Sequence, residues 1–186
     1  MNVKYLAAAL ILSLVPTMAS ATSWQVDIGA SQVNFDYTKD GASTTGKFEA
    51  FSGTGWLDPG APDTAELVIQ IDTFSIDLND RLASIYATSA EWFDSKNHRF
   101  ITYRLTKLSP RSDGQFDAQG LLSVRGETKP VTSVISLHFD GPKATASGSL
   151  KIDRSDYLLG YGPSMALVDI GSKVAVRFDL RARQAN

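Results

Sequence analysis

In one short segment after another of this chain, apolar side chains recur at every second position, and no other feature narrows the fold as much. Val33, Phe35 and Tyr37 alternate with Gln32, Asn34 and Asp36, the pattern of a strand with one wet face. Ala65, Leu67, Ile69 and Ile71 alternate with Glu66, Gln70 and Asp72, interrupted only by Val68. The same period predicts strands within 101–105, 121–124, 131–139, 144–152 and 174–182. Between such segments stand Asp40-Gly41, Asp58-Pro59-Gly60, Asp113-Gly114, Arg125-Gly126 and Asp140-Gly141-Pro142. These are residue types that reverse a backbone within two to four positions. Many short strands joined by tight turns predict an all-β, antiparallel sandwich or barrel.

One stretch departs from the period. From 80 to 93, Leu82, Ile85, Tyr86, Ser89, Trp92 and Phe93 recur at helical spacing, and Asn79 or Asp80 can cap the start. The expectation is one main α-helix near residues 80–93, laid across a barrel opening. With 186 residues the chain forms one domain with a sizeable core, and no internal repeat or linker divides it.

The first 21 residues read differently. Lys4 precedes an almost unbroken apolar run over 5–15, Pro16 ends it, and Ala19-Ser20-Ala21 supplies small residues for a peptidase. This is the pattern of a secretory signal cleaved after Ala21, leaving 22–186 as the mature domain. The run is shorter than the roughly 20 residues a spanning helix needs. The chain has no Cys, so it carries no disulfide, no thiolate metal site and no lipoprotein anchor. Export without disulfides suits a bacterial periplasm.

Charge and motif content set aside several function classes. A formal net charge of -2 gives no basic excess to draw nucleic acid. The two histidines, His98 and His138, stand apart in sequence and outside any G-x-S-x-G or H-E-x-x-H pattern. Zinc or copper would lack its usual ligands. Gly160-Tyr161-Gly162 is only a fragment of a phosphate-cradling loop. The aromatics carry more information, because they are spread over most of the predicted elements. They either fill a core or line a void, and a barrel of about eight strands can do both.

Several motifs taken together resemble a known family. Trp24-Gln25-Val26-Asp27 is followed by Ser31-Gln32-Val33-Asn34-Phe35, then by Gly46-Lys47-Phe48 and Phe51-Ser52-Gly53. Ala90-Glu91-Trp92-Phe93-Asp94 comes next, then the most specific stretch, Gly120-Leu121-Leu122-Ser123-Val124-Arg125-Gly126-Glu127-Thr128-Lys129-Pro130-Val131. Asp153-Arg154-Ser155-Asp156-Tyr157 with Gly160 completes the series. In this order and spacing they resemble the YceI-like family of bacterial periplasmic proteins. Two departures stand out: Ala83-Ser84-Ile85-Tyr86 where the family often has Arg-Asp-x-His, and Arg99 in place of a common proline.

The resemblance implies an extended lipocalin-like antiparallel β-barrel whose apolar channel holds an isoprenoid or other long-chain lipid. It implies a binding protein rather than an enzyme, with no cofactor and no metal. On that basis the expected ligand-binding residues are Phe35, Phe48, Tyr103 and Tyr157 from strands, and Ile85, Tyr86, Trp92 and Phe93 from the helix. Arg154 with Asp156 would either form a structural ion pair at the rim or meet a polar headgroup. Two alternatives stay open: an enzyme acting on a small apolar substrate in the same channel, or a quinone-linked accessory of a membrane cytochrome b561. Monomer and homodimer are equally open.

Overall fold

The computed structural model describes residues 22–58, 60–163 and 168–185. The predicted export signal lies outside them. Among the described residues there are eleven strands: β1 (Thr22–Val26), β2 (Gln32–Lys39), β3 (Ala42–Phe48), β4 (Phe51–Leu57), β5 (Glu66–Asp72), β6 (Ile76–Asp77), β7 (Phe100–Pro110), β8 (Phe116–Val124), β9 (Glu127–Asp140), β10 (Lys143–Asp153) and β11 (Lys173–Gln184). A helix, α1 (Arg81–Ala87), lies between β6 and β7.

Register reduces these strands to eight staves. β1 and β2 both run antiparallel to β11, with Val26 opposite Ala182 and Gln32 opposite Asp179. The 3-10 turn Ile28–Ala30 between them is therefore an insertion in one bent stave. β3 and β4 answer in kind, Phe48 facing Val33 and Thr54 facing Gln25. β5 and β6 form the third, with Ile71 opposite Phe51 and Ile76 opposite Phe48. β7 to β11 follow in chain order, and β11 pairs back onto β1 with Trp24 opposite Gln184. The sheet is thus a closed up-and-down barrel.

Turn chemistry sets that register. Asp40-Gly41 links the paired residues Lys39 and Ala42 with φ of 49° and 78°. Arg125-Gly126 links Val124 and Glu127 with φ of 50° and 85°. Two successive positive φ values make the turn whose twist matches that of the flanking strands, and glycine takes its second position without a Cβ clash.

The helix is shorter than its sequence period suggests. Asp80 caps it, its carboxylate accepting from the Leu82 and Ala83 amides at 2.9 and 3.1 Å, but α1 ends at Ala87 instead of running to 93. The Thr88 hydroxyl turns back to the Ile85 carbonyl at 2.7 Å, and the Phe93 amide closes onto the Ala87 carbonyl at 3.0 Å. Such local hydroxyl bonds compete with helix propagation. Trp92 and Phe93 are consequently delivered by tight turns. Arg125 then ties this segment to the loop after β10, donating to the Ala90 and Leu158 carbonyls. The Gly160 amide does the same to the Glu91 carbonyl at 2.8 Å. One end of the barrel is therefore dressed by α1, the turns after it and the segment that follows β10.

Candidate functional site

The inward residues do not meet across the barrel. They enclose a cavity of about 800 Å³, within the roughly 300–1,000 Å³ span of small-molecule sites. Its walls are mainly carbon, with Phe35, Phe48, Ile69, Ile101, Leu122 and Val176 each on a different strand. Residues from both barrel ends line it, Ala65 and Leu108 toward one and Ile85 and Ile170 toward the other. Charged side chains enter at the extremities, Lys39 and Asp80 near α1 and Glu66 at the opposite end. The Asp80 carboxylate is already engaged as the helix cap.

Of the expected ligand-binding residues, Phe35, Phe48 and Tyr103 stand on the walls, and Trp92 and Phe93 project in from the turns. The rings form a chain: Phe35 to Phe48 at 5.3 Å, then Phe48 to Phe93 edge-on at 5.9 Å. Such pairs are worth about 0.5–1.5 kcal/mol beyond burial, so they hold the wall's shape. Ile85 and Tyr86 also border the cavity, yet Ile85 is 58% exposed, which places both at its mouth. Asp156 is exposed and lies outside the lining. Tyr157 is only 1% exposed, packed in the core away from the void.

Arg154 borders the cavity, as expected of a ligand-binding residue. Among the described residues it makes no ion pair with Asp156. Its guanidinium donates instead to the carbonyls of Leu159, Ile170 and Gly171, the last two at 2.7 and 3.1 Å. It also lies over the Trp92 ring, 5.4 Å from the centroid. Five fixed donors and a flat face let one arginine hold three backbone oxygens and a wall aromatic together. The residue is a clamp on the α1 end of the cavity.

Asp153 sets up that clamp. It caps the 3-10 turn Arg154–Tyr157, accepting from the Ser155 amide at 3.0 Å and hydroxyl at 2.5 Å. Ser172 and Lys173 add contacts at 3.1 and 2.9 Å. These donors, the Ser155 hydroxyl foremost, hold the carboxyl well below the usual carboxylate range. A depressed folded-state pKa contributes stability that is complete above the unfolded value near 3.8 and is lost as pH falls through the folded one. Asp153→Asn is therefore expected to lower stability at pH 6 and to flatten its decline below about pH 4. Urea melts of both proteins from pH 6 to pH 2 will show this; parallel acid limbs would contradict it.

Several contributors carry no sequence motif. The alternation contains the aliphatic wall residues without marking them as a wall, since leucines facing a void and leucines filling a core share one period. Arg125 read as a turn residue, and nothing in the sequence signalled its reach to two distant carbonyls. His98 lies 3.9 Å from the Asp94 carboxylate, in the turns after α1. No group of three or more His, Asp or Glu capable of holding a metal occurs among the described residues.

A closed eight-stave barrel around a carbon-lined cavity, with a short helix at its mouth, defines a lipocalin-like binding barrel. The YceI-like domain model matches residues 24–182, and the chain belongs to that family. A curated UPF0312 protein of Vibrio cholerae is 26% identical over 167 residues, covering 84% of this chain and 87% of its own. Among solved structures, Burkholderia cenocepacia BcnA is similar with a TM-score of 0.76 and 26% identity, covering 84% of this chain and 98% of that one. A polyisoprenoid-binding domain from Saccharophagus degradans, implicated in plant cell wall breakdown, shares the fold at a TM-score of 0.71 and 18% identity. That match covers 88% and 99% of the two chains.

Proposed function

We propose that this protein is a periplasmic carrier that holds a long-chain isoprenoid or similar amphiphilic lipid inside its barrel. The observation that carries the reading is the cavity of about 800 Å³ with mainly apolar walls. The polyisoprenoid-binding domain that shares the fold supports the ligand class. Each buried methylene gains roughly 0.8 kcal/mol, so a chain of a few isoprene units supplies more than 10 kcal/mol before ordering costs. Tail burial then dominates affinity, and a headgroup need only be tolerated. Export rests on the amino-terminal signal pattern, with cleavage after Ala21. A quinone-type ligand and a membrane cytochrome b561 partner fit within the same reading.

The carboxylates of the lining, Asp80 and Glu66, stand at the two ends of the cavity, and Asp80 is engaged as the helix cap. Burial pushes the Tyr103 phenol up to about 12, so it stays protonated and serves as a hydrogen-bond donor.

Displacement of the fluorescent probe N-phenyl-1-naphthylamine by farnesol tests the reading. Phe48→Ala and Trp92→Ala remove wall area and are expected to weaken farnesol about 10-fold, some 1.5 kcal/mol of lost burial. His98→Ala, off the wall, is expected to change it less than 2-fold. Equal affinities in all three variants would contradict the placement of the ligand.

A further inference from the structure

The interior of the cavity is not uniformly carbon. Tyr103 on β7 and Ser133 on β9 both line it, and neither hydroxyl has a hydrogen-bond partner among the described residues. Neither is among the sealed, unpartnered polar atoms, so both hydroxyls keep accessible surface.

The two stand on β7 and β9, on either side of β8. Tyr103 pairs with Leu122 across β8, but its ring leans over Gly120. A Cβ on Gly120 would stand 2.6 Å from the phenol carbon Cζ, so the missing side chain is what lets the ring lie across β8. On the next strand, Val131 is opposite Gly120 and Ser133 is opposite Ala118. Along β7, Ile101 lines the cavity on one side of Tyr103, and Leu105 and Leu108 do so on the other. Both residues thus stand on the barrel wall, Ser133 level with Leu108 through Ala118.

A phenol left unpartnered against hydrocarbon is costly, whereas the same phenol meeting an oxygen on the cargo is satisfied. A charged oxygen is disfavoured there, because the cations that line the cavity, Lys39 and Arg154, stand at its α1 end and would not offset the desolvation. Resting on the carrier reading above, we infer that Tyr103 and Ser133 form a polar subsite for an uncharged oxygen function of the lipid, a carbonyl, ether or alcohol, held inside the barrel. Phosphorylated and carboxylate lipids would leave this subsite empty and keep their headgroups at the mouth.

Tridecane, tridecan-2-one and tetradecanoate, each displacing N-phenyl-1-naphthylamine from the intact mature protein, separate the two levels of the claim. In Tyr103→Phe the ketone is expected to weaken about 5- to 10-fold and the alkane less than 2-fold, the size of one lost hydrogen bond. Comparing the same ligands in both proteins cancels their hydration. Ser133→Ala should reproduce the pattern with a smaller loss, and both variants should melt as the parent does, since neither hydroxyl has a protein partner to lose. Equal losses for alkane and ketone, or a larger loss for tetradecanoate, would overturn the subsite while leaving the carrier reading intact. Failure of all three ligands to displace the probe from the parent would overturn the carrier reading and the subsite with it.

Discussion

Ala118→Trp is expected to abolish lipid retention while leaving a folded barrel. Ala118 is buried on β8, lines the cavity, and stands between its strand partners Leu108 and Ser133. An indole there projects into space that the cargo chain would occupy. Excluding about four methylenes removes roughly 3 kcal/mol, more than a 100-fold loss of affinity. Overpacking a filled core costs about 1–3 kcal/mol, and here the added ring has a void to enter, so the stability change should fall at or below the low end. Probe displacement gives the first number and thermal melting the second. A protein that melts normally and binds normally would show that the chain does not pass this point. Ala118→Leu, a smaller intrusion, should give an intermediate loss.

The second large effect concerns the clamp. Arg154→Ala leaves the carbonyls of Leu159, Ile170 and Gly171 without their donor and removes the cation from the Trp92 face. Hydrogen bonds to a charged group contribute about 1.5–3 kcal/mol each and do not add fully, so a loss of about 3 kcal/mol is expected. For a chain of this length that lowers Tm by about 6–12 °C. Arg154→Lys should recover little, because one ammonium cannot reach three separated oxygens with the same geometry. Asp156→Asn should shift Tm by less than about 1 °C, since the exposed carboxylate is not the arginine's partner. Were Asp156→Asn as harmful as Arg154→Ala, the clamp assignment would be wrong.

That contrast shows where sequence reading runs out. Arg154 and Asp156 two residues apart invite an ion pair, but the 3-10 turn capped by Asp153 directs the guanidinium at backbone oxygens that no residue pattern encodes. The strands were legible because alternation at Val33, Phe35 and Tyr37 reports directly which face is wet. The hairpins were legible because Arg125-Gly126 and Asp40-Gly41 suit consecutive positive φ values. The long helix failed for a related reason: Trp92 and Phe93 happen to continue a 3.6 period that Thr88 and Ser89 interrupt in space. Facing is likewise not the same as filling. Period two says that Ile69, Ile101 and Leu122 point inward, and it is silent on whether the opposite wall touches them. Trp56 makes the converse point, an aromatic beside the core motifs whose side chain is more than half exposed.

The central claim is that the void inside the closed sheet is a seat for a hydrocarbon chain. Native mass spectrometry of the protein recovered from exporting cells, before and after extraction with organic solvent, tests this most directly. The account predicts a discrete mass above that of the chain beginning at Thr22, released intact by the solvent and identified in the extract as a neutral, oxygen-bearing lipid of isoprenoid type. A single bare protein mass, unchanged by extraction and unchanged again after incubation with farnesol, would contradict it.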